Sequence, residues 1–116
     1  KEPLGPVVRQ GDAVWEDIVR WSLNVMIEAE EYGINSSNAD SMKTSKNPQI
    51  KRLVGAEGEL GAALGLDNDW SLRIIKQVGN YGESYKRNIA DTGILPTRGP
   101  NELWTKGGLL YVPPAR

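Results

Sequence analysis

Three carboxylates, Glu28, Glu30 and Glu31, stand together in a stretch that otherwise reads as apolar helix. They fall at its C-terminal end, where the helix dipole is negative and a carboxylate is least favoured. Such a conflict between a local rule and a sequence is one mark of a site. Two carboxylates flanking a glycosidic bond are the minimum apparatus of a glycosidase, one as acid and the other as base or nucleophile. A small all-helical hydrolase is therefore one reading. The structural reading is that Lys51, Arg52, Lys86 or Arg87 pair with these acids across the fold. That reading is preferred, because carboxylates are common and only their spacing in space makes a pair specific. The chain contains neither cysteine nor histidine. This removes disulfides, Cys/His zinc sites, Ser-His and Cys-His nucleophile pairs and histidine pH switching.

Other side chains with chemical potential read as structural. Trp15, Trp21, Trp70 and Trp104 are a large aromatic complement in a chain without phenylalanine. They would make a stacking platform, but Trp15, Trp21 and Trp70 fall at apolar helical positions and are expected to be core anchors. Tyr81 and Tyr85 are four residues apart with Ile89 following, a buried helix face rather than a ligand contact. Arg98 and Arg116 have the fork that holds a carboxylate bidentately, yet nothing in the sequence lifts either above a surface arginine. Residues 55–66, GAEGELGAALGL, are rich in glycine. A phosphate cradle needs a following Lys-Ser or Lys-Thr, which is absent, so a short helix Glu59–Leu64 closed by Gly65 is expected. Asn35-Ser36-Ser37 matches a glycosylation sequon, a three-residue match that arises readily by chance. No residue is assigned a catalytic or metal-binding role, ligand-binding residues stay unassigned, and no cofactor is implied.

These groups must be carried by helices. Gly11 to Gly33, GDAVWEDIVRWSLNVMIEAEEYG, places Val14, Ile18, Trp21, Val25 and Ala29 on one helix face. Trp15, Val19, Ser22 and Met26 widen that face, as do Leu23 and Ile27. The polar stripe left over is narrow, which marks a core helix covered on most sides. Asp12 can cap its start and Gly33 can close its end. The fold expected is mainly α, about five to seven short-to-medium helices around this central one, at about residues 13–32. Ser37 with Asp40 has capping-box form ahead of a short helix at residues 38–44 with Met42 its apolar contact. Asn47-Pro48 starts another, buried through Ile50, Leu53 and Val54. Asp67 and Asp69 suit the start of a helix whose face is Trp70, Ile74 and Val78, with Ile75 beside it. Gly79-Asn80 should bend the chain, with Asn80 and Glu83 a second capping box.

The ends differ in character. Pro3 and Pro6 bias residues 1–10 to extended backbone, and Leu4–Arg9 reads as a strand. A lone strand needs a partner, either outside this sequence or in the last ten residues. Residues 90–116 are loop-like, with one helical turn expected over Pro100–Trp104 and a short apolar run at Leu109–Val112. The expected organisation is a single helical unit over 1–116: extended segment 1–10, helical core 11–89, loop-rich tail 90–116.

Bulk properties bound the remaining classes. With 116 residues the chain can bury one core, and its net charge of −1 gives no reason to bind nucleic acid. Residues 1–34 hold three basic and seven acidic side chains, net −4, and the remainder is +3, so the two parts are expected to face each other. No apolar run approaches the ~18–20 residues of a membrane span. Neither a signal peptide nor an initiator methionine opens the sequence, which reads as a processed chain or a piece of a longer one.

Several blocks in order carry a resemblance: KEPLGPVVRQGDAVWEDIVRW, AEEYGI, NDWSLRIIKQVGNYGESYKRN and NELWTKGGLLYVPP. Together they resemble the C-terminal part of solute-binding proteins of polar amino-acid ABC transporters, of the general L-amino-acid or glutamate/glutamine/aspartate type of Gram-negative bacteria. The resemblance covers essentially the whole chain. It implies a two-lobed α/β periplasmic protein that closes over an amino acid and docks on a membrane permease. It further implies that Leu4–Arg9 enters the first lobe as a strand, that the helices form the C-terminal part of that lobe, and that the ligand-binding segments lie mainly upstream. An isolated piece of this kind should expose the apolar face that the absent lobe covered, and self-association is expected. A stand-alone helical interaction module is the remaining alternative.

Overall fold

Asp12 caps the first helix through its side chain, which accepts a hydrogen bond from the Trp15 amide at 3.0 Å. In this computed structural model, which describes residues 4–116, the helix that follows is α1 (Ala13–Glu31). Lys1 to Pro3, with the extended bias expected at Pro3, lie outside the described residues. The far end of α1 closes in a Schellman turn. Gly33 takes φ 68°, its amide donates to Glu30 O at 3.0 Å, and the Ile34 amide donates to Ala29 O at 2.8 Å. Ile34 and Ala29 are both fully buried, the apolar contact that accompanies this turn. Burial along α1 is uneven. Val25, Ile27, Glu28 and Ala29 are buried, whereas Val14 and Trp15 are exposed. The expectation of a helix covered on most sides thus holds for its second half only.

After α1 the chain turns around Asn35. Its side-chain oxygen accepts from the amides of Ser37 and Asn38, both at 3.0 Å, and starts the 3-10 helix Ala39–Thr44. The expected Ser37/Asp40 capping box does not form, because Asn35 already turns the chain and Asp40 pairs with Lys76 at 2.7 Å. α2 (Pro48–Leu53) starts as expected, with the Asn47 side chain accepting from the Gln49 amide at 2.9 Å. The glycine-rich stretch gives only a 3-10 turn, Ala62–Leu64, ended by Gly65 at φ 67°. What shapes this stretch is Asn68, whose amide donates to Gly55 O at 3.1 Å and Gly58 O at 3.0 Å.

α3 (Trp70–Val78) buries Trp70, Ser71, Leu72 and Ile75, a face rotated from the expected one, and Val78 is exposed. The rotation lets Ser71 Oγ donate to Leu53 O and tie α3 to α2. Asp67 and Asp69 do not cap α3; both hold Arg73, at 2.5 and 2.6 Å. Gly79 bends the chain at φ 84°, and α4 (Tyr81–Asn88) starts with the full capping box. The Glu83 amide donates to Asn80 Oδ1 at 2.9 Å, and the Asn80 amide donates to Glu83 Oε2 at 2.8 Å.

α3 and α4 both pack on α1. The core joins Val25, Ala29, Ile34, Ala39, Leu53, Val54, Trp70, Leu72 and Ile75 with one residue of the tail, Ala115. Residues 90–116 run as loop with 3-10 turns Ala90–Thr92, Gly99–Asn101 and Trp104–Lys106, the last two replacing the single turn expected at Pro100–Trp104. No β-strand forms among the described residues. The one pairing is an isolated parallel bridge, Leu103 to Leu110. Leu4–Arg9 is therefore not a strand: no described segment offers it a ladder, and Leu4 and Val7 stand in solvent. No helix among the described residues is long and apolar enough to cross a membrane.

Candidate functional site

The three acids at the end of α1 take three different roles. Glu30 points into the space under α4 and pairs with Arg98. Their side chains are 10% and 13% exposed, so this ion pair is largely but not fully buried. Arg98 also reaches Glu102 at 3.2 Å and donates twice to Asn101 O, from Nε at 3.1 Å and Nη2 at 2.9 Å. Its guanidinium lies 5.4 Å from the Tyr81 ring centre and 5.6 Å from that of Tyr85, within cation–π range. Tyr85 is buried, and its hydroxyl lies 3.1 Å from Leu95 O and 3.3 Å from Thr97 O, with one proton to share between them. Burial works against the Arg98 charge, but the hydrogen bond and charge of Glu30, with Glu102 and Tyr81, outweigh it and raise its pKa. One oxygen, Glu30 Oε2, is buried without a hydrogen bond among the described residues.

Glu28 is 5% exposed and accepts from the Ala115 amide at 2.9 Å, anchoring the end of the tail. Burial pushes its carboxyl above the ordinary value and the charge of Glu31 adds to this, while the Ala115 amide and Arg116 pull the other way. Glu31 is exposed and accepts from the Trp104 indole N–H at 3.2 Å. Glu28, Glu31, Trp104, Tyr111 and Arg116 line a cavity of about 200 Å³, with Tyr32 and Gln49 on its wall. The Tyr32 hydroxyl donates to Gln49 Oε1 at 2.8 Å. Desolvation, with the charges of Glu28 and Glu31, raises the pKa of that phenol.

This corrects the expected pairing. Lys51 binds Glu57 at 2.5 Å, Lys86 binds Asp91 at 2.7 Å, and Arg87 donates to Val78 O at 3.0 Å. Arg52 forms no ion pair among the described residues and lines a groove of about 300 Å³ together with Glu57–Leu60 and Arg116. Arg98, which the sequence left as a surface arginine, is the partner of the acidic end. Its signal was faint: an arginine in a loop two residues after a proline, with the needed acid 68 residues away. Glu30 and Glu28 are each held by a fixed partner, so the arrangement acts as a clamp of α1 on the tail. Among the described residues no group of three or more acids is placed to hold a metal ion.

The other end of α1 is unlike this one. Leu4, Val7, Val14 and Trp15, near its start, are each exposed. A hollow of about 180 Å³ lies beside it, lined by Pro6, Val8, Val19 and Leu23 with Glu16 and Arg20. Of the three tryptophans expected as core anchors, Trp70 is buried, Trp21 packs partly buried against the core, and Trp15 is half exposed.

No protein-family model matches the chain. Over its whole length it is 55% identical to the general L-amino acid-binding periplasmic protein AapJ of Rhizobium johnstonii. It is 54% identical to the glutamate/glutamine/aspartate/asparagine-binding protein BztA of Rhodobacter capsulatus, and 52% identical to the putative amino-acid ABC transporter-binding protein YhdW of Escherichia coli. The chain spans 35% of the length of each of these curated relatives. A periplasmic binding protein of an ABC transporter from Brucella ovis, solved with glutathione bound, matches with a TM-score of 0.88 and 54% identity, over 94% of this chain and 35% of that one.

Proposed function

We propose that this chain, homologous to about the C-terminal third of amino-acid-binding periplasmic proteins of ABC transporters, is a non-catalytic scaffold within such a protein. The observation that carries the reading is the match itself, whole on this side and about one third on the other. The described residues are organised for packing: a helical core, a clamped tail, and an uncovered apolar surface at Leu4, Val7, Val14 and Trp15. In the whole protein this piece is the C-terminal part of the first of two α/β lobes, and as one helical unit over residues 1–116 it stiffens that lobe. The uncovered surface takes up the upstream part of the protein. A polar L-amino acid binds between the lobes, with ligand contacts supplied mainly upstream, and the closed protein docks on the membrane permease in the periplasm of a Gram-negative bacterium.

Calorimetric titration separates scaffold from receptor. Glutamate, glutamine, aspartate and glutathione, the last being what the Brucella ovis protein holds, are each added to the 116-residue chain. No binding heat is expected from any of them. Stoichiometric binding of one of them would overturn the scaffold reading and make this piece a receptor in its own right.

A further inference from the structure

The cavity between Glu28, Glu31, Trp104 and Tyr111 has acceptor capacity left over after the clamp is made. Glu28 is nine-tenths buried and lines it, yet only one of its oxygens, Oε2, is hydrogen-bonded among the described residues. Neither Glu28 nor Glu31 has an ion-pair partner there; Arg116 borders the cavity without pairing to either. The cavity sits at the C-terminal end of α1, where the dipole favours a cation. Trp104 and Tyr111 meet edge to face, ring centres 5.8 Å apart at 75°, and both line the cavity with the two acids. Its volume of about 200 Å³ lies below the ~300 Å³ of ordinary ligand pockets, a size for one charged head on a short stem.

We propose that this cavity binds an alkylammonium head, with Glu28 and Glu31 as its anionic partners, Trp104 and Tyr111 against its charge, and the stem along Val112 and Pro114. An entering ammonium at hydrogen-bonding distance adds to the weaker counter-charge that Arg116 already gives Glu28. A free amine without a carboxylate beside its ammonium and a lysine side chain share this chemistry; an amino acid brings a carboxylate that Glu28 and Glu31 repel.

The test follows the Trp104 indole N–H, which already bonds Glu31, by NMR on the isotope-labelled full chain, its signal assigned through Trp104→Phe. The probes are n-butylammonium, the neutral n-butanol, and a blocked Gly-Lys-Gly peptide. A saturable shift with butylammonium, none with butanol, and affinity about tenfold weaker in Glu31→Gln are expected. Glu31 is exposed, so this variant keeps the fold, and its amide oxygen still accepts from Trp104. Saturation by the peptide alone assigns the site to a lysine on a partner segment, and saturation by butylammonium shows that a free amine suffices. No saturable shift with either cation, an equal response to butanol, or unchanged affinity in Glu31→Gln overturns the proposal.

Discussion

Arg98 joins a largely buried acid, two tyrosine rings and two points of the tail, so it is the residue whose loss should be felt most. Removing one member of a buried ion pair leaves the other charge uncompensated, at a cost of about 3–5 kcal/mol. Arg98→Ala is expected to destabilise by about 3 kcal/mol in urea unfolding. Adding Glu30→Gln should recover part of that, since it removes the stranded charge. A loss below about 1 kcal/mol would class the pair with exposed ones. Glu28 makes a pH prediction. Its carboxyl is raised above 4.5, first by burial and then by Glu31. The folded state therefore binds the proton more tightly than the unfolded state, and stability falls as pH rises from about 4.5 through the raised value. The other shifted carboxyls move the opposite way. Asp40 and Asp69 are lowered from 3.8 by bonds to Lys76 and Arg73, and Glu83, despite its burial, is lowered from 4.5 by Ser36 and Asn80. Their stabilisation is lost as pH falls, below the Glu28 window. Urea midpoints should decline above about pH 4.5 in the parent chain, and the decline should shrink in Glu28→Gln, whose amide oxygen still accepts from Ala115.

At the scale of elements, α4 is placed by features at its start. The Asn80/Glu83 box caps it, Asn80 Nδ2 donates to Ile34 O at 2.7 Å, and Glu83 accepts from the Ser36 amide at 3.0 Å. One capping motif thus fixes α4 to the turn that ends α1. Gly82 sits in the first turn of α4 over the buried pair. A β-carbon there would lie 2.9 Å from the Glu30 carboxylate and 3.2 Å from Arg98 Nη1. Helix propensity alone favours alanine over glycine by ~1 kcal/mol. Crowding should win, because the carboxylate it meets is pinned by Arg98, and overpacking costs about 1–3 kcal/mol. Gly82→Ala is expected to lower the thermal midpoint, and to raise it once Glu30→Ala has cleared the space. A gain in the parent background would mean that the Glu30 side chain moves aside freely.

For the whole molecule, the decisive contrast is between the two ends of α1. Its C-terminal half is enclosed by α3, α4 and the tail, while its N-terminal half shows Val14 and Trp15 to solvent, as the segment before it shows Leu4 and Val7. Such a surface associates with whatever apolar face it meets, including another copy. Size-exclusion chromatography of the 116-residue chain should show self-association that rises with concentration, and Trp15→Glu should weaken it. A strict monomer at high concentration would count against an uncovered interface. The expected opposition of an acidic and a basic part is mostly absent. Arg98–Glu30 is the one ion pair among the described residues that crosses between them, and the other basic side chains with ion pairs find acids in their own part.

Several features were readable in the sequence because each closes within a few residues. Asp12 and Gly33 bound α1, Asn47-Pro48 starts α2, and Asn80 with Glu83 starts α4. Caps and turns are local, so the residues that make them are also the residues that announce them. The acidic end of α1 was likewise visible as a conflict with the dipole. How that conflict is resolved was not, because Arg98 lies 68 residues from Glu30 and Ala115 lies 87 residues from Glu28. The face that α3 buries, the open half of α1 and the absence of a ladder for Leu4–Arg9 depend in the same way on which distant elements arrive. Spacing along a chain specifies what a helix can bury, and only the packed neighbours decide what it does bury.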